Sequence, residues 1–325
     1  MTLPALLRFT LACTSLALAC SVSAQVPTGK GPLRLIVGYP AGGSADVQAR
    51  TLADKLSSDL GTPVVVENRT GAGGQIAADY VRTAPADGLT VLLANMHMMV
   101  MLPLTSKSVH YDPVKDFQSV GRIATFYVGI AVPAALPVRD VREWLALAGS
   151  DKSKASYGVP AAGSVAQFMG YRLGSDAKVE LTSIPYRGAA PLVQDLLGNQ
   201  VAAGITPIAD LVQYQQAGKL KVLAVNGVKR TALLPDVPTL KELGQPHFDN
   251  LEWTGLFVPA ATPRATVMQL HAALGKALAL PEVQQRLAKL SSDANPSTPE
   301  ELSSLISDDL KRWGPVVKAS GFSTE

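Results

Sequence analysis

Cysteine is nearly absent from this chain of 325 residues, and its two copies, Cys13 and Cys20, both lie close to the start. They fall inside Met1 to Ala24, where Arg8 precedes a long Leu- and Ala-rich stretch and Ser21-Val22-Ser23-Ala24 ends it. This pattern predicts a secretory signal peptide over residues 1–24, cleaved after Ala24. Ala17-Leu18-Ala19-Cys20 lacks the Leu or Val that a lipoprotein box carries three residues before its cysteine. Cleavage would leave a chain without cysteine, which excludes disulfides, a thiol nucleophile and cysteine-based metal sites. Histidine is scarce too: His97, His110, His247 and His271 show no paired spacing, so no metal site and no cofactor are expected. Charge is low at 17% and nearly balanced at +3, with no basic run interleaved with aromatics, which sets nucleic acid aside. Beyond Ala24 no stretch reaches the roughly 18 apolar residues of a membrane span. The expectation is therefore a soluble, exported, periplasmic protein.

Enzyme and nucleotide signatures fail as well. No lysine follows Gly43 in P-loop fashion, and in Gly71-Ala-Gly-Gly74 the third glycine of a dinucleotide fingerprint is replaced by Ile76. Ser164 follows a glycine, but Ala166 stands where G-x-S-x-G needs its second one.

What is present begins with Leu33-Arg34-Leu35-Ile36-Val37, a buried strand by composition. Pro40-Ala41-Gly42-Gly43 follows as a tight turn, and an amphipathic helix runs from Ser44 to Leu60 with Ser44 or Gly43 as its cap. Ala45, Ala49, Leu52, Ala53, Leu56 and Leu60 share one face, and Gly61 and Pro63 stop the helix. A helix start leaves four N–H groups without intrahelical partners and carries about half a positive charge, so this strand–turn–helix unit suits an anion. Pro160-Ala-Ala-Gly163-Ser164 repeats the arrangement before a second helix.

Strands and helices then alternate: Val64–Val66, a helix over 75–83, Leu89–Ala94, a methionine-rich loop over 95–103 and a long strand over 120–132. They continue with a helix over 141–147, Ala155–Gly158, a helix to Leu173, Val179–Ile184, a helix ending at Gly198, Val201–Ile205 and Leu220–Val225. Such alternation predicts an α/β protein with largely parallel sheets. The strand over 120–132 with Gly129 inside it is expected to cross between lobes, and Trp253–Val258 to return. That places lobe 1 at 25–125 plus 258–325 and lobe 2 at 126–257. The tail is helical, Thr298 and Glu301 forming a capping box.

Pro40-Ala-Gly-Gly-Ser-Ala-Asp46, Pro63-Val-Val-Val-Glu-Asn-Arg69, Tyr111-Asp-Pro-Val-Lys-Asp-Phe117, Ile184-Pro-Tyr-Arg-Gly188, Asp195-Leu-Leu-Gly198, Ala217-Gly-Lys-Leu220 and Leu234-Pro-Asp-Val-Pro-Thr239 occur in order along the chain. In these the chain resembles the Bug family of tripartite tricarboxylate transporter receptors. The resemblance implies a two-lobed periplasmic-binding-protein fold of type II character, each lobe a mostly parallel sheet flanked by helices, closing on a ligand in the interlobe cleft. It implies a small organic acid, a di- or tricarboxylate or an aromatic acid, held on backbone amides of two facing loops. Those loops match Tyr39 to Asp46 and Ala162 to Gln167. Membrane permease subunits are the implied partners, for transport or for sensing, and the receptor is expected to be a monomer. The chain departs from the family's usual residues at Ala41, Met96-His97-Met98-Met99, Gln167 and near Thr206. The departures make the lining more apolar and less charged, which argues against a small polar amino acid.

The expected ligand-binding residues are Tyr39, Ala41, Gly42, Gly43, Ser44, Asp46, Met96, His97, Gly163, Ser164, Gln167, Tyr186, Arg187 and Thr206. Asp46 either holds a ligand hydroxyl or amine or complements the helix dipole. Ser44 and Ser164 either donate to a carboxylate or cap. Arg187 either pairs with a second acid group or is solvated. The methionines at 96, 98, 99 and 101 either fill a core or offer thioether surface to a flat apolar group. The rival class is an exported hydrolase or transferase on a similar α/β scaffold, acting through Ser164.

Overall fold

The computed structural model describes residues 31–324, so the expected signal peptide and its cleavage site lie outside the described residues. In chain order the elements are β1 (Leu33–Val37), α1 (Ser44–Leu60), β2 (Val64–Asn68), α2 (Gln75–Arg82), β3 (Thr90–Asn95), α3 (Leu102–Thr105), β4 (Phe117–Phe126), β5 (Val128–Pro133), α4 (Val141–Ser150), β6 (Ser156–Val159) and α5 (Val165–Ala177). There follow β7 (Thr182–Pro185), α6 (Ala189–Leu197), β8 (Ala203–Pro207), α7 (Val212–Gln216), β9 (Leu220–Val225), β10 (Glu252–Pro259), α8 (Arg264–Ala279), α9 (Pro281–Ala288), β11 (Ser292–Ala294) and α10 (Pro299–Ser320). No described helix is long and apolar enough to cross a membrane.

Two sheets form the two lobes, ordered β11-β4-β10-β3-β1-β2 and β7-β6-β8-β5-β9. Both are mixed rather than mostly parallel. The βαβ units give parallel pairs, β1 with β2 and β3, and β6 with β7 and β8. Strands that enter from the other lobe run against them: β10 is antiparallel to β3 and β4, and β5 to β8 and β9. A strand arriving from across the cleft has no helix to reverse it, and antiparallel pairing is the result.

The crossing between lobes falls at Tyr127, the residue between β4 and β5. Gly129, inside the strand expected to cross, is closely packed. A Cβ there would lie 3.1–3.3 Å from Leu211, Ile208 and Val222. Trp253–Val258 is not the return crossing. Those residues are buried in β10, in the middle of the first sheet, so the chain crosses back within 226–251 and the segment up to Phe257 belongs with the first lobe. A strand buried on both faces is a continuous apolar run, and such a run has the same appearance whether it crosses a cleft or fills a sheet.

Asn226 laces the two crossings together. Its Oδ1 accepts from the Val128 N–H at 2.8 Å and its Nδ2 donates to the Asn250 carbonyl at 2.7 Å. Asp309 of α10 anchors the second crossing, accepting from Trp253 Nε1 at 2.9 Å and Asn250 Nδ2 at 3.1 Å. On this side one core runs through both lobes, from Ile36 and Trp253 to Trp144 and Leu173. Phe168 of α5 meets Phe322 edge-on, ring centroids 5.7 Å apart. The opposite side carries the cleft.

Candidate ligand-binding site

The turn after β1 is built as its glycines require. Gly42 has φ +82°, a conformation that costs an L side chain about 1–2 kcal/mol. Gly43 is the cap of α1 with extended geometry, φ −73° and ψ 165°, and Ser44 is the first helical residue. Val47 N–H reaches the Gly43 carbonyl at 2.9 Å, but the N–H groups of Ser44, Ala45 and Asp46 find no acceptor among the described residues. They are the donors that a helix start leaves free.

Those donors open onto a cavity of about 360 Å3 between the lobes. The first lobe supplies Tyr39, Pro40, Gly43, Ser44, Ala45, Gln48, Asn95, Thr254 and the 290–292 corner. Phe126 and Tyr127 form its crossing wall, and the second lobe contributes Pro207, Ala209 and Asp210. Tyr39 Oη donates toward Asn95 Oδ1 at 3.0 Å and Gly73 O at 3.3 Å, and burial raises its pKa. Thr254 Oγ1 donates to Gln48 Oε1 at 2.9 Å, which leaves the Gln48 amide nitrogen as a donor.

Asp46 turns away from this cavity. It is 2% exposed, and its carboxylate accepts from Gly42 N–H at 2.9 Å, Arg50 Nε at 3.0 Å and Asn68 Nδ2 at 2.9 Å. The Arg50 guanidinium, against the smaller opposing effect of burial and with help from the other two donors, holds the carboxyl down at about 2. Asp46 therefore clamps the turn that presents the free N–H groups. The second helix start is constructed alike: Gly163 has φ +70°, and its N–H donates to Gln167 Oε1 at 2.7 Å, an amide standing where the first has an acid.

Tyr39, Gly43 and Ser44 are thus brought together as expected, while Ala41 and Gly42 are exposed on the outer side of the turn. Gly163, Ser164 and Gln167 are not in the cavity wall. A Cβ on Gly163 would lie 3.2 Å from Thr105 and 3.4 Å from Phe322, so this loop rests on the first lobe, and residues 207–210 take the expected place opposite α1. Thr206 is fully buried and donates to Asp210 Oδ2 at 3.0 Å. Tyr186 Oη donates to Asp195 Oδ2 at 2.8 Å, and Arg187 is exposed outside the lining. Met96, Met98, Met99 and Met101 are sealed in the core, because a wide helical turn over His97–Met101 packs them inward rather than leaving a loop. His97 lies against Gly73 with its Nδ1 unpartnered, and burial lowers it to about 4, so it brings no positive charge at neutral pH.

Gln48, Asn95, Phe126, Tyr127, Asp210 and Thr254 were not expected in the wall. Gln48 is the legible one, one helical turn beyond Ser44 on the same side of α1. The others meet through the sheet and the crossing, and no local pattern announces them.

The model of the tripartite tricarboxylate transporter family receptor matches residues 48–322. The protein BugT of Bordetella pertussis strain Tohama I is 31% identical over 307 residues, 94% of this chain and 93% of its own. MatC from Rhodopseudomonas palustris, solved with bound malate, is 30% identical with a TM-score of 0.76, covering 89% of this chain and 99% of its own. Another R. palustris protein, solved with adipate, is 29% identical with a TM-score of 0.78, covering 91% and 99%. The strand–turn–helix unit, the paired sheets and these matches over nearly the whole described chain agree: this chain belongs to the Bug family of tripartite tricarboxylate transporter receptors.

Proposed function

We propose that the chain is a periplasmic receptor that takes a carboxylate of a small organic acid onto the start of α1 and closes its lobes over it. It then presents the acid to the membrane subunits of a tripartite tricarboxylate transporter or reports its presence. The observation that carries this reading is the set of unsatisfied N–H groups at Ser44, Ala45 and Asp46 opening onto a cavity between the lobes. Relatives holding malate and adipate support it. Tyr39, Gly43 and Ser44, joined by Gln48, Asn95 and Thr254, are the proposed first-lobe contacts, and Phe126 and Tyr127 offer flat surface to a ring. Export through residues 1–24 completes the reading, and N-terminal sequencing of the exported protein should begin at Gln25.

The hydrolase alternative gains nothing from the site. Ser164 Oγ donates to the Ala161 carbonyl at 2.7 Å, and no histidine stands with it among the described residues.

A thermal-shift screen of metabolites tests the proposal. A ligand at a hundred times its dissociation constant stabilises the folded state by about 2.7 kcal/mol, a clear melting shift. The hits should be carboxylates, and their methyl esters should bind far more weakly, since a neutral group forfeits charge-assisted bonds worth about 1.5–3 kcal/mol each. Sugars giving the strongest shifts, or esters matching the acids, would reject the reading.

Closure has its own readout. With one face of both lobes fused through a common core, the motion should be a rotation about Tyr127 and Asn226 that narrows the α1 side. Small-angle scattering should then record a smaller radius of gyration with saturating ligand, and an unchanged radius would speak against closure.

A further inference from the structure

Two side-chain amides in the first-lobe wall have their oxygens committed and their nitrogens free. Asn95 ends β3, and its Oδ1 accepts from the Met98 N–H and from Tyr39 Oη, each at 3.0 Å. A backbone N–H can only donate, so Met98 fixes which end of the Asn95 amide is oxygen and leaves Nδ2 at the other end. Gln48 is 2% exposed and is held in the same way, its Oε1 accepting from Thr254 Oγ1 at 2.9 Å. Both residues line the cavity, and no acceptor among the described residues takes either nitrogen. The two amides are also neighbours. Thr254 pairs directly with Asn95 between β10 and β3, and directly opposed residues share one face of a sheet. Tyr39, Asn95, Thr254 and Gln48 therefore make one continuous stretch of wall, and Gln48 stands about 6 Å along α1 from Ser44.

This wall offers donors without charge, since no Lys, Arg or His among the described residues lines the cavity. Once a ligand displaces the solvent, an amide nitrogen without an acceptor costs what an unmade hydrogen bond costs. A site built this way rejects a molecule lacking the matching atom far more strongly than an apolar pocket rejects an extra methylene. We infer that Asn95 and Gln48 set the specificity of the site: with the ligand's carboxylate on the α1 start, their amides donate to an oxygen acceptor further along the same molecule. Carbonyl, hydroxyl and carboxylate oxygens share that chemistry, and a plain alkanoate lacks it. This rests on the carboxylate reading above.

The test is calorimetry on the protein with acids of matched length: pentanoate, 4-oxopentanoate, 4-hydroxypentanoate and glutarate, and beside them hexanoate, 5-oxohexanoate, 5-hydroxyhexanoate and adipate. In at least one set an oxygen-bearing acid should bind at least about tenfold more tightly than the alkanoate, the effect of a hydrogen bond to an otherwise unpaired donor. Whether the diacid or the neutral-ended acids lead tells which oxygen the amides take. Asn95→Asp and Gln48→Glu are the discriminating variants. Each keeps the oxygen that accepts from Met98 and Tyr39, or from Thr254, and puts a second acceptor where the nitrogen stood. The oxo acid, which can only accept, should lose its advantage over the alkanoate, whereas the hydroxy acid, which can turn and donate, should keep it. These three probes are monoanions of one length, so the repulsion from the added charge cancels in their ratios. Melting verifies that each variant is folded. Alkanoates that bind as well as every oxygen-bearing acid overturn this inference alone. So do variants that weaken the three monoanions by one common factor, which marks a structural role, and a single variant that does so removes its residue from the pair. A wild-type protein that binds none of the acids removes the carboxylate reading and this one with it.

Discussion

Gly43→Val is expected to cut ligand affinity at least about a hundredfold, equivalent to about 2.7 kcal/mol, while the unliganded protein still folds. The backbone tolerates the change, because the φ of Gly43 is −73°. The space does not. A Cβ at this position lies 3.2 Å from the Pro40 carbonyl, and the two methyls of valine must then occupy the wall through which a carboxylate reaches the Ser44, Ala45 and Asp46 N–H groups. Alanine, with one carbon, should give a partial loss. Gly42→Ala is the informative contrast: it meets open space but sits at φ +82°, so it should cost about 1–2 kcal/mol of stability without filling the cavity. Calorimetry and melting on the three variants separate the effects. Wild-type affinity in Gly43→Val would mean that the ligand does not use this helix start.

What the sequence made legible follows from how local each signal is. Strand β1, the turn and α1 with its bounds at Ser44 and Leu60 were readable because the strand, the glycines and the apolar face lie within thirty residues of one another. The repeat of that unit before α5 was readable for the same reason. Its placement was not: whether Gly163 faces α1 or rests on Thr105 and Phe322 depends on how two lobes and the last helix are set together. The methionines show the limit differently. A run of four in six residues has no period that distinguishes a loop from a wide helical turn, and only packing on all sides decides that they are core. The crossing strand over 120–132 is legible from its length, and the lobe boundary expected at 125/126 lies beside the crossing. The chain changes sheets at Tyr127, and Gly129 lies where a Cβ would press within 3.1–3.3 Å of Leu211, Ile208 and Val222. Thr254 could not have been found at all. Its partner Gln48 is 206 residues away, and the contact exists only because β10 returns into the first sheet.

Asp46→Ala should lower the melting temperature by about 4–8 °C, for a loss of about 2 kcal/mol, and weaken ligand binding as well. The carboxylate satisfies three donors at once, and its removal leaves Gly42 N–H without an acceptor and Asn68 Nδ2 with only the Tyr39 carbonyl, in a nearly closed place. The turn that aims the free N–H groups then loses the tie between Gly42, α1 and β2. Acid should reproduce part of this effect in the wild type. The folded carboxyl lies at about 2, well below its ordinary value near 4, so the folded state binds fewer protons than the unfolded chain between those values. Its stabilisation is therefore fully present above about pH 5 and lost as pH falls through 4 toward 2, roughly 2 kcal/mol in all. Asp46→Asn, which cannot titrate, should lack that component, so its deficit relative to wild type should shrink as pH approaches 2. Arg50 is half exposed, and salt should weaken its share without abolishing the effect, because the Gly42 and Asn68 donors are not screened. Equal melting of wild type and both variants from pH 2 to 7 would show that the clamp holds nothing. Loss of stability with unchanged ligand affinity would show that the turn keeps its aim without it, and that the glycines alone position the anion site.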